Sequence, residues 1–388
     1  MHKYNAIVVG CGLSGAVVAR FLAEEMGRKV LVLERRNHVG GNMYDYQDEA
    51  GILVHQYGPH TFHTRKKHLY EYMCKYGEWE EYRLTCGAVI NEKYTPTPFN
   101  FQTIDDFYEV EKAEKIKSEI KKEFPGQKTA TVLEMLNHSN SYVREYAEFL
   151  FENDYSLYTA KQWGISPKEI DPSVLKRVPI RFGYEEGYFD DKYQVMPKKS
   201  YTEFFGNLLK HPNVEVQTNS EMKDYVKLDV ETGEILVERE KWKNPFVFTG
   251  AIDELFECKY GMLPYRSLRF EWKTENKESF QPAPVVAYPQ AKDFVRITEY
   301  TKLPVQKVGE KTTYAVEYSV PYRPGIKTEP YYPIPNKENF ALYQKYRELA
   351  EEFPNLYLSG RLAEYKYFNM DQALENALEL CEKIRTIY

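Results

Sequence analysis

Several features that a chain of 388 residues could carry are scarce or missing here. Cysteine is scarce: there are five, at 11, 74, 86, 258 and 381, with no C-x-x-C and none beside His at metal-ligand spacing. That excludes a disulfide framework and a Cys/His metal centre; it predicts reduced, mostly buried thiols and no metal. No apolar run approaches the roughly 20 residues that a bilayer span needs. No basic block is long enough for a nucleic-acid surface. "KKEF" and "RKKH" read as solvated faces, and the net charge is −6. The N-terminus enters a strand within a few residues, so no signal peptide is predicted and the expected location is the cytoplasm. There is no internal repeat and no low-complexity segment.

Tyrosine, by contrast, is abundant, with 34 residues. Aromatic faces stack on sugars and bases while phenol hydroxyls bond polar ligands, although compositional bias accounts for the number equally well. The length suits two or three packed domains.

"NAIVVGCGLSGAVVARFLAEEMGRKVLVLERR" reads as strand, glycine turn, helix, strand. Gly10 permits the tight turn, Gly12 lets backbone approach a pyrophosphate, and Gly15 lets the helix lie close to the strand. Leu13 and Ser14 open that helix, and Ala16 and Ala19 keep its face small. Glu34 ends the second strand, where a carboxylate can accept bonds from the adenosine ribose. Arg35 follows and is counted with the cofactor residues. The acid argues for a free ribose over a 2′-phosphate, hence FAD or NAD.

"RNHVGGN" at 36–42 places a second glycine pair, with Gly41 and Asn42, just after that strand. It resembles the extended fingerprint of FAD proteins of the glutathione-reductase type. Near the other end, "NLYLSGR" runs a strand into Gly-Arg, followed by "NMDQALENALEL". Asn369 and Gln372 form a plausible capping pair for the final helix. The segment resembles the flavin-contacting C-terminal part of the same FAD families. Arg361 would then meet the pyrophosphate, and Phe368, Asn369, Met370, Asp371, Gln372 and Ala373 would set a helix N-terminus against the flavin.

The expected fold class is α/β. A Rossmann-like FAD-binding domain uses 1–78, 200–262 and 325–388. A helical domain takes 100–180, with a mobile active-site loop at about 164–182. An antiparallel sheet domain takes 79–99, 183–199 and 263–324. In the helical part, Thr103 with Asp106 is the expected cap of "DDFYEVEKAEKIKSEIKKEF". "YVKLDVETGEILVERE" reads as a hairpin around Thr-Gly, and "YRSLRFEW", "APVVAY", "FVRITEY" and "TTYAVEYS" as short strands.

The order of "GCGLSGAVVAR", "RNHVGGN", "YGPHTFHT", "YTAKQWG", "RVPIRF", "VRITE", "PYYPI" and "GRLAEYKYFNMD" resembles the bacterial UDP-galactopyranose mutase family over nearly the whole chain. The resemblance implies FAD, active when reduced, and interconversion of UDP-galactopyranose and UDP-galactofuranose by attack of flavin N5 on the sugar C1, with no net redox change. It implies a reductant such as NAD(P)H, a homodimer, and a role in cell-wall or surface polysaccharide synthesis.

Residue by residue, the resemblance makes Arg177 and Arg296 the grip on the diphosphate, where a guanidinium fork suits the group. Arg177 falls in a Pro-rich loop, which suits a lid. Tyr158, Thr159 and Trp163 match the uridine side and lid. Tyr188, Phe189, Tyr332 and Tyr367 match the path lining, and Arg266 a further cleft arginine. His60, Thr61 and His63 match positions beside the flavin, with His63 counted as catalytic. Ala287, Leu84 and Asn369 depart from the family pattern, so altered sugar or uracil contacts are expected there. Two other readings remain: an amine-oxidase-like flavin oxidoreductase, which net redox turnover would reveal, and a non-catalytic UDP-sugar-binding flavoprotein, which would bind without turnover.

Overall fold

The computed structural model describes residues 3–164, 178–324, 328–334 and 336–388. Two apolar four-residue runs found the fold. Ala6–Val9 and Val30–Leu33 pair in parallel, both almost wholly buried. A strand covered on both faces has no polar side to show, so such runs are continuous rather than alternating. The sheet they start has the order Val214–Gln217, Val30–Leu33, Ala6–Val9, Phe246–Phe248, Leu356–Leu358, all parallel. Its strands therefore come from the beginning, middle and end of the chain.

Helix Leu13–Glu24 lies on one face against the last helix, Met370–Ile387. Ala16, Ala19 and Ala23 on the first and Ala377 on the second are fully buried or nearly so, which lets the two backbones approach. Both helices direct their N-termini to the same end of the sheet, where their residues line one cavity.

A seven-stranded sheet stands beside this domain, in the order Tyr332–Pro333, Tyr265–Glu275, Thr312–Pro321, Arg296–Glu299, Val285–Ala287, Cys86–Ile90, Lys93–Thr97. It is not wholly antiparallel: Val285–Ala287 runs parallel to Cys86–Ile90. The two strands lie far apart in sequence, so no tight hairpin dictates their sense. Other expectations need correction too. Trp79–Glu81 and Tyr193–Pro197 do not join this sheet: Tyr193–Pro197 lies between Trp79–Glu81 and Phe62–Thr64 in a small antiparallel sheet of its own. Tyr332–Pro333, expected in the cofactor domain, forms the large sheet's edge. The hairpin at 226–237 gains a third strand, Glu240–Trp242.

The helical unit packs around Phe99, Phe101, Ile104, Ile116, Tyr146 and Leu150. Its first helix starts earlier than expected, at Phe101. Asn100 is the cap, its Oδ1 accepting from the Gln102 N–H at 2.8 Å. Thr103 sits in the first turn and accepts back from the Asn100 N–H at 3.3 Å. An extended Tyr108 then ends the helix, and Val110–Glu123 is a separate one. Among the described residues no helix is long and apolar enough to cross a membrane.

Candidate active site

The cavity between the two helix N-termini measures about 700 Å³, within the roughly 300–1,000 Å³ usual for small-molecule and cofactor sites. Gly10, Gly12, Leu13, Ser14 and Gly15 line it, with Glu34 and Arg35 at one end. The second glycine pair closes over the first: a Cβ on Gly41, at φ 55°, would lie 2.7 Å from the Gly12 Cα. Side chains on these turns would fill the space where a pyrophosphate rests, so the cradle fits a dinucleotide such as FAD.

Glu34 pins the cradle. One oxygen accepts from the Cys11 N–H at 2.8 Å and the other from the Arg36 N–H at 2.9 Å. Each carboxylate oxygen keeps a second acceptor site for a ribose hydroxyl. Arg35 is held otherwise than a phosphate ligand would be, since it pairs with Glu329 at 2.6 Å and Glu254 at 3.4 Å. Arg36 shares Glu329 at 3.0 Å, donates to Asn42 Oδ1 at 3.1 Å and covers the Tyr57 ring at 4.4 Å. Acids thus neutralise this end, which suits an unphosphorylated ribose.

At the other end are His60, Arg361, Phe368, Asn369, Met370 and Ala373. Burial lowers His60 to about 4, so its ring is neutral. Its Nδ1 lies 2.8 Å from the Gly58 carbonyl, which only accepts. The proton is therefore on Nδ1, and Nε2 is left as an acceptor. Arg361 donates to the Phe368 carbonyl at 2.7 Å, and its guanidinium stands 4.7 Å from the Tyr367 ring and 5.1 Å from Tyr332. Thr61, Asp371 and Gln372 do not line the cavity, against expectation. Gln372 is spent on the cap, accepting the Asn369 N–H at 2.9 Å, and Asp371 accepts the Gln372 N–H at 2.8 Å.

A second group of side chains converges just beyond Arg361. Arg296 and Glu317 face each other across adjacent strands, in register, and Arg296 Nε donates to Glu317 Oε2 at 2.8 Å. Glu317 is 1% exposed, and its Oε1 has no partner among the described residues. Tyr158, Tyr188 and Tyr332 all lie within electrostatic range of Arg296. Burial holds these phenols above their usual range, so they stay protonated donors. Tyr332 also stacks on Tyr367, at 5.9 Å between centroids. A cation, a buried acid that orients it and four phenols form a surface for a phosphorylated ligand.

Glu317 was missed from sequence, although a signal existed. In "TTYAVEYS" it is the one charge in a β-branched and aromatic strand, and a buried acid there needs a cation opposite.

Three expected residues stand elsewhere or lie beyond view. Arg266 is turned to structure: Nη2 donates to Ser319 Oγ at 2.8 Å and Nε to the Gln162 carbonyl at 3.2 Å. It caps helix Ser156–Trp163 at the end where free carbonyls favour a cation. His63 stacks on Phe189 at 3.5 Å and holds Asp191 at 2.6 Å. It is not among the residues lining the cavity, and the histidine that faces it is His60. Phe189 is thereby sandwiched, meeting Tyr188 edge-on at 4.9 Å. Thr159 is buried on the same helix as Tyr158. Arg177, and most of the loop expected at 164–182, lie outside the described residues.

A family model described as UDP-galactopyranose mutase matches residues 153–367, and one for an NAD(P)-binding Rossmann-like domain matches 8–76. A UDP-galactopyranose mutase of Mycoplasma pneumoniae is 34% identical over 389 residues, 99% of this chain and 96% of the relative. The chain belongs to the UDP-galactopyranose mutase family. An Escherichia coli dTDP-fucopyranose mutase is also 34% identical, over 97% of both chains. Among solved structures, a reduced UDP-galactopyranose mutase superposes with a TM-score of 0.74 at 15% identity, covering 99% of this chain and 94% of its own. A putrescine oxidase reaches 0.56 at 10% identity over 99% of both. At such identities the superpositions establish the fold alone. Membership of the mutase family makes the chain an isomerase with a dinucleotide-binding domain of the kind flavoproteins share.

Proposed function

We propose that this chain interconverts UDP-galactopyranose and UDP-galactofuranose, with FAD in the cavity and active when reduced. One observation carries the reading: the Arg296–Glu317 pair stands beside the cofactor cavity, with His60 of the cavity wall within electrostatic range of both Arg361 and Arg296, and Tyr158, Tyr188 and Tyr332 within range of Arg296. A nucleotide sugar would set its diphosphate against that cation with its sugar toward the cavity.

Reduced flavin, when bound, supplies a nucleophilic ring nitrogen for the anomeric carbon and ends each cycle still reduced. The chain's own groups do the rest. Arg296 takes the charge of the diphosphate as it leaves and holds it for return, and Glu317 fixes the guanidinium so that little reorganisation is needed. Tyr158, Tyr188 and Tyr332 stay neutral and donate hydrogen bonds to phosphate oxygens. His60 offers the Nε2 lone pair to an N–H or O–H in the cavity. NAD(P)H as reductant, a cytoplasmic homodimer and a product used in cell-wall or surface polysaccharide rest on the family resemblance.

Electron accounting tests the reading. The protein is reduced once under anaerobic conditions, freed of reductant and given UDP-galactofuranose. Product should far exceed enzyme, with the flavin spectrum still reduced. Product held to one equivalent while the flavin reoxidises would hand the assignment to an oxidoreductase. A second substrate, dTDP-fucopyranose, is favoured by the 34% identity to the E. coli enzyme, and the same assay with that donor compares the two.

A further inference from the structure

His60, the histidine of the cavity wall, is tied at every polar atom but one. Its N–H donates to His55 Nδ1 at 3.1 Å, and its carbonyl accepts from the Tyr201 hydroxyl at 3.2 Å. Its ring Nδ1 is turned back onto the Gly58 carbonyl at 2.8 Å, across a turn in which Gly58 takes φ 97°. Only Nε2 has no partner among the described residues.

The two groups that hold the main chain of His60 trace back to one strand pair. Asp45 and His55 face each other in register across strands Asp45–Gln47 and Leu53–His55. The Asp45 carboxylate accepts the N–H groups of Tyr201 and Thr202 at 2.7 and 2.8 Å. These are free donors in the first turn of helix Tyr201–Leu209, so the acid fixes Tyr201 beside the strand. The Tyr201 ring meets the His55 ring edge-on at 5.6 Å, as does Tyr300, whose hydroxyl donates to the His55 carbonyl at 3.0 Å. Asp45 thus acts on His60 through Tyr201, and His55 acts on it directly.

His55 is unfavourable as a core residue. It is fully buried, and burial pushes it down to about 3, so its ring is neutral. With Nδ1 accepting from His60, the single ring proton is on Nε2. That atom is buried without a partner among the described residues. An orphaned buried donor is destabilising, and leucine would fill the place without one. Leucine, however, could not accept the His60 N–H.

We propose that His55 is the positioning residue of the cavity histidine: by accepting the His60 N–H it holds that residue with the Nε2 lone pair presented to the cofactor. The orphaned Nε2–H of His55 is what this placement leaves behind. Without the anchor, the loop at 58–60 relaxes, Nδ1 leaves the Gly58 carbonyl, and both neutral tautomers of His60 become populated. The effect on turnover rests on the mutase reading above; the state of the His60 ring does not.

The test therefore reads that ring directly. The chain has eight histidines. The FAD-loaded protein is labelled with 15N-histidine, and the ring nitrogens are followed by NMR near neutral pH, with His60→Gln identifying the His60 signals. The wild type should show one neutral tautomer, with the proton on Nδ1. His55→Leu removes the acceptor and should give a mixture of the two tautomers. His55→Asn sets an amide oxygen near the place of Nδ1 and should restore the single tautomer. A neutral hydrogen bond is worth a factor of about two to ten. The kcat of the reduced enzyme should fall by that factor in His55→Leu and recover in His55→Asn. Tyr201→Phe frees the other end of His60 with the ring packing kept, and should shift the tautomer in the same sense; it decides the matter if His55→Leu loses its FAD. A single Nδ1–H tautomer in both His55→Leu and Tyr201→Phe would overturn the role. So would a mixture in His55→Asn equal to that in His55→Leu, which would leave His55 as packing alone, or a wild type with the proton on Nε2. A wild type with the expected tautomer that turns over no UDP-galactofuranose would overturn the mutase reading and leave the positioning role standing.

Discussion

The cofactor cavity and the substrate cluster lie side by side, but they are built by different means. The cavity is backbone work. Two glycine turns and two helix N-termini shape it, and Glu34 holds it mostly through main-chain N–H groups. The cluster is side-chain work. Tyr158, Tyr188, Arg296, Glu317, Tyr332 and Arg361 come from six segments and meet only when helix, sheet and cofactor domain are assembled. A backbone site depends on what is left out at a few positions. A side-chain site depends on which charges are paired across strands.

The sharpest way to break that contrast is to fill the backbone cradle. Gly41→Val places a β-branched residue at φ 55°, with its Cβ 2.7 Å from the Gly12 Cα. Backbone strain of roughly 1–3 kcal/mol adds to an overpacking cost of a similar roughly 1–3 kcal/mol. The purified variant should lose most of its bound FAD, read as flavin absorbance per protein, while far-UV circular dichroism stays near wild type because the turn lies outside the core strands. Full FAD retention would mean that the two turns do not form the seat.

The same contrast governs what could be read from sequence. The first glycine turn, Glu34 and the cap of the last helix are short-range patterns legible from spacing, whereas the second glycine pair and the last helix's place at the flavin came from resemblance to FAD proteins; cavity and cap stand where those segments lie. Arg296 and the tyrosines carry no local signature. They were found through family resemblance, and the partner that makes Arg296 rigid, Glu317, was passed over. Resemblance also counted Arg266 and His63 with the site, where the structure gives one to a helix end and the other to Asp191 and Phe189. Strand sense failed at 285–287 for a related reason: its partner lies about two hundred residues away, where no local pattern reaches.

The next effect in size tests the charge pair. Arg296→Ala removes the cation from the proposed diphosphate site and leaves Glu317, 1% exposed, without its partner. Losing a charged hydrogen bond costs roughly 1.5–3 kcal/mol, so kcat/KM should fall at least about tenfold. An unpaired buried charge costs about 3–5 kcal/mol of stability, so the melting temperature should fall as well. The double variant Arg296→Met with Glu317→Leu separates the two effects: it should regain much of the stability and none of the activity. Recovery of turnover in the double variant would show that the pair holds the sheet and never meets substrate.

The smallest expected effect falls on the cofactor side, at Arg35, the arginine counted from sequence with the ribose end of the cavity. If Arg35 held an adenosine phosphate or ribose, its loss would weaken FAD as much as the loss of any charged ligand. The structure points the other way. Its guanidinium is shared between Glu329 and Glu254, and Glu329 keeps Arg36 when Arg35 is removed. The Arg35 side chain is 36% exposed, and ion pairs in such settings are worth about 0–1 kcal/mol. Arg35→Ala should therefore change the FAD dissociation constant by less than about fivefold, with no change in the reduced-enzyme kcat. Glu34→Ala, in the same titration, should weaken FAD more, because the cradle loses both main-chain anchors and the ribose acceptor. If the order of the two variants were reversed, the adenosine end would be held by side-chain charge, and the contrast between a backbone-built cavity and a side-chain-built cluster would fail at its nearest test.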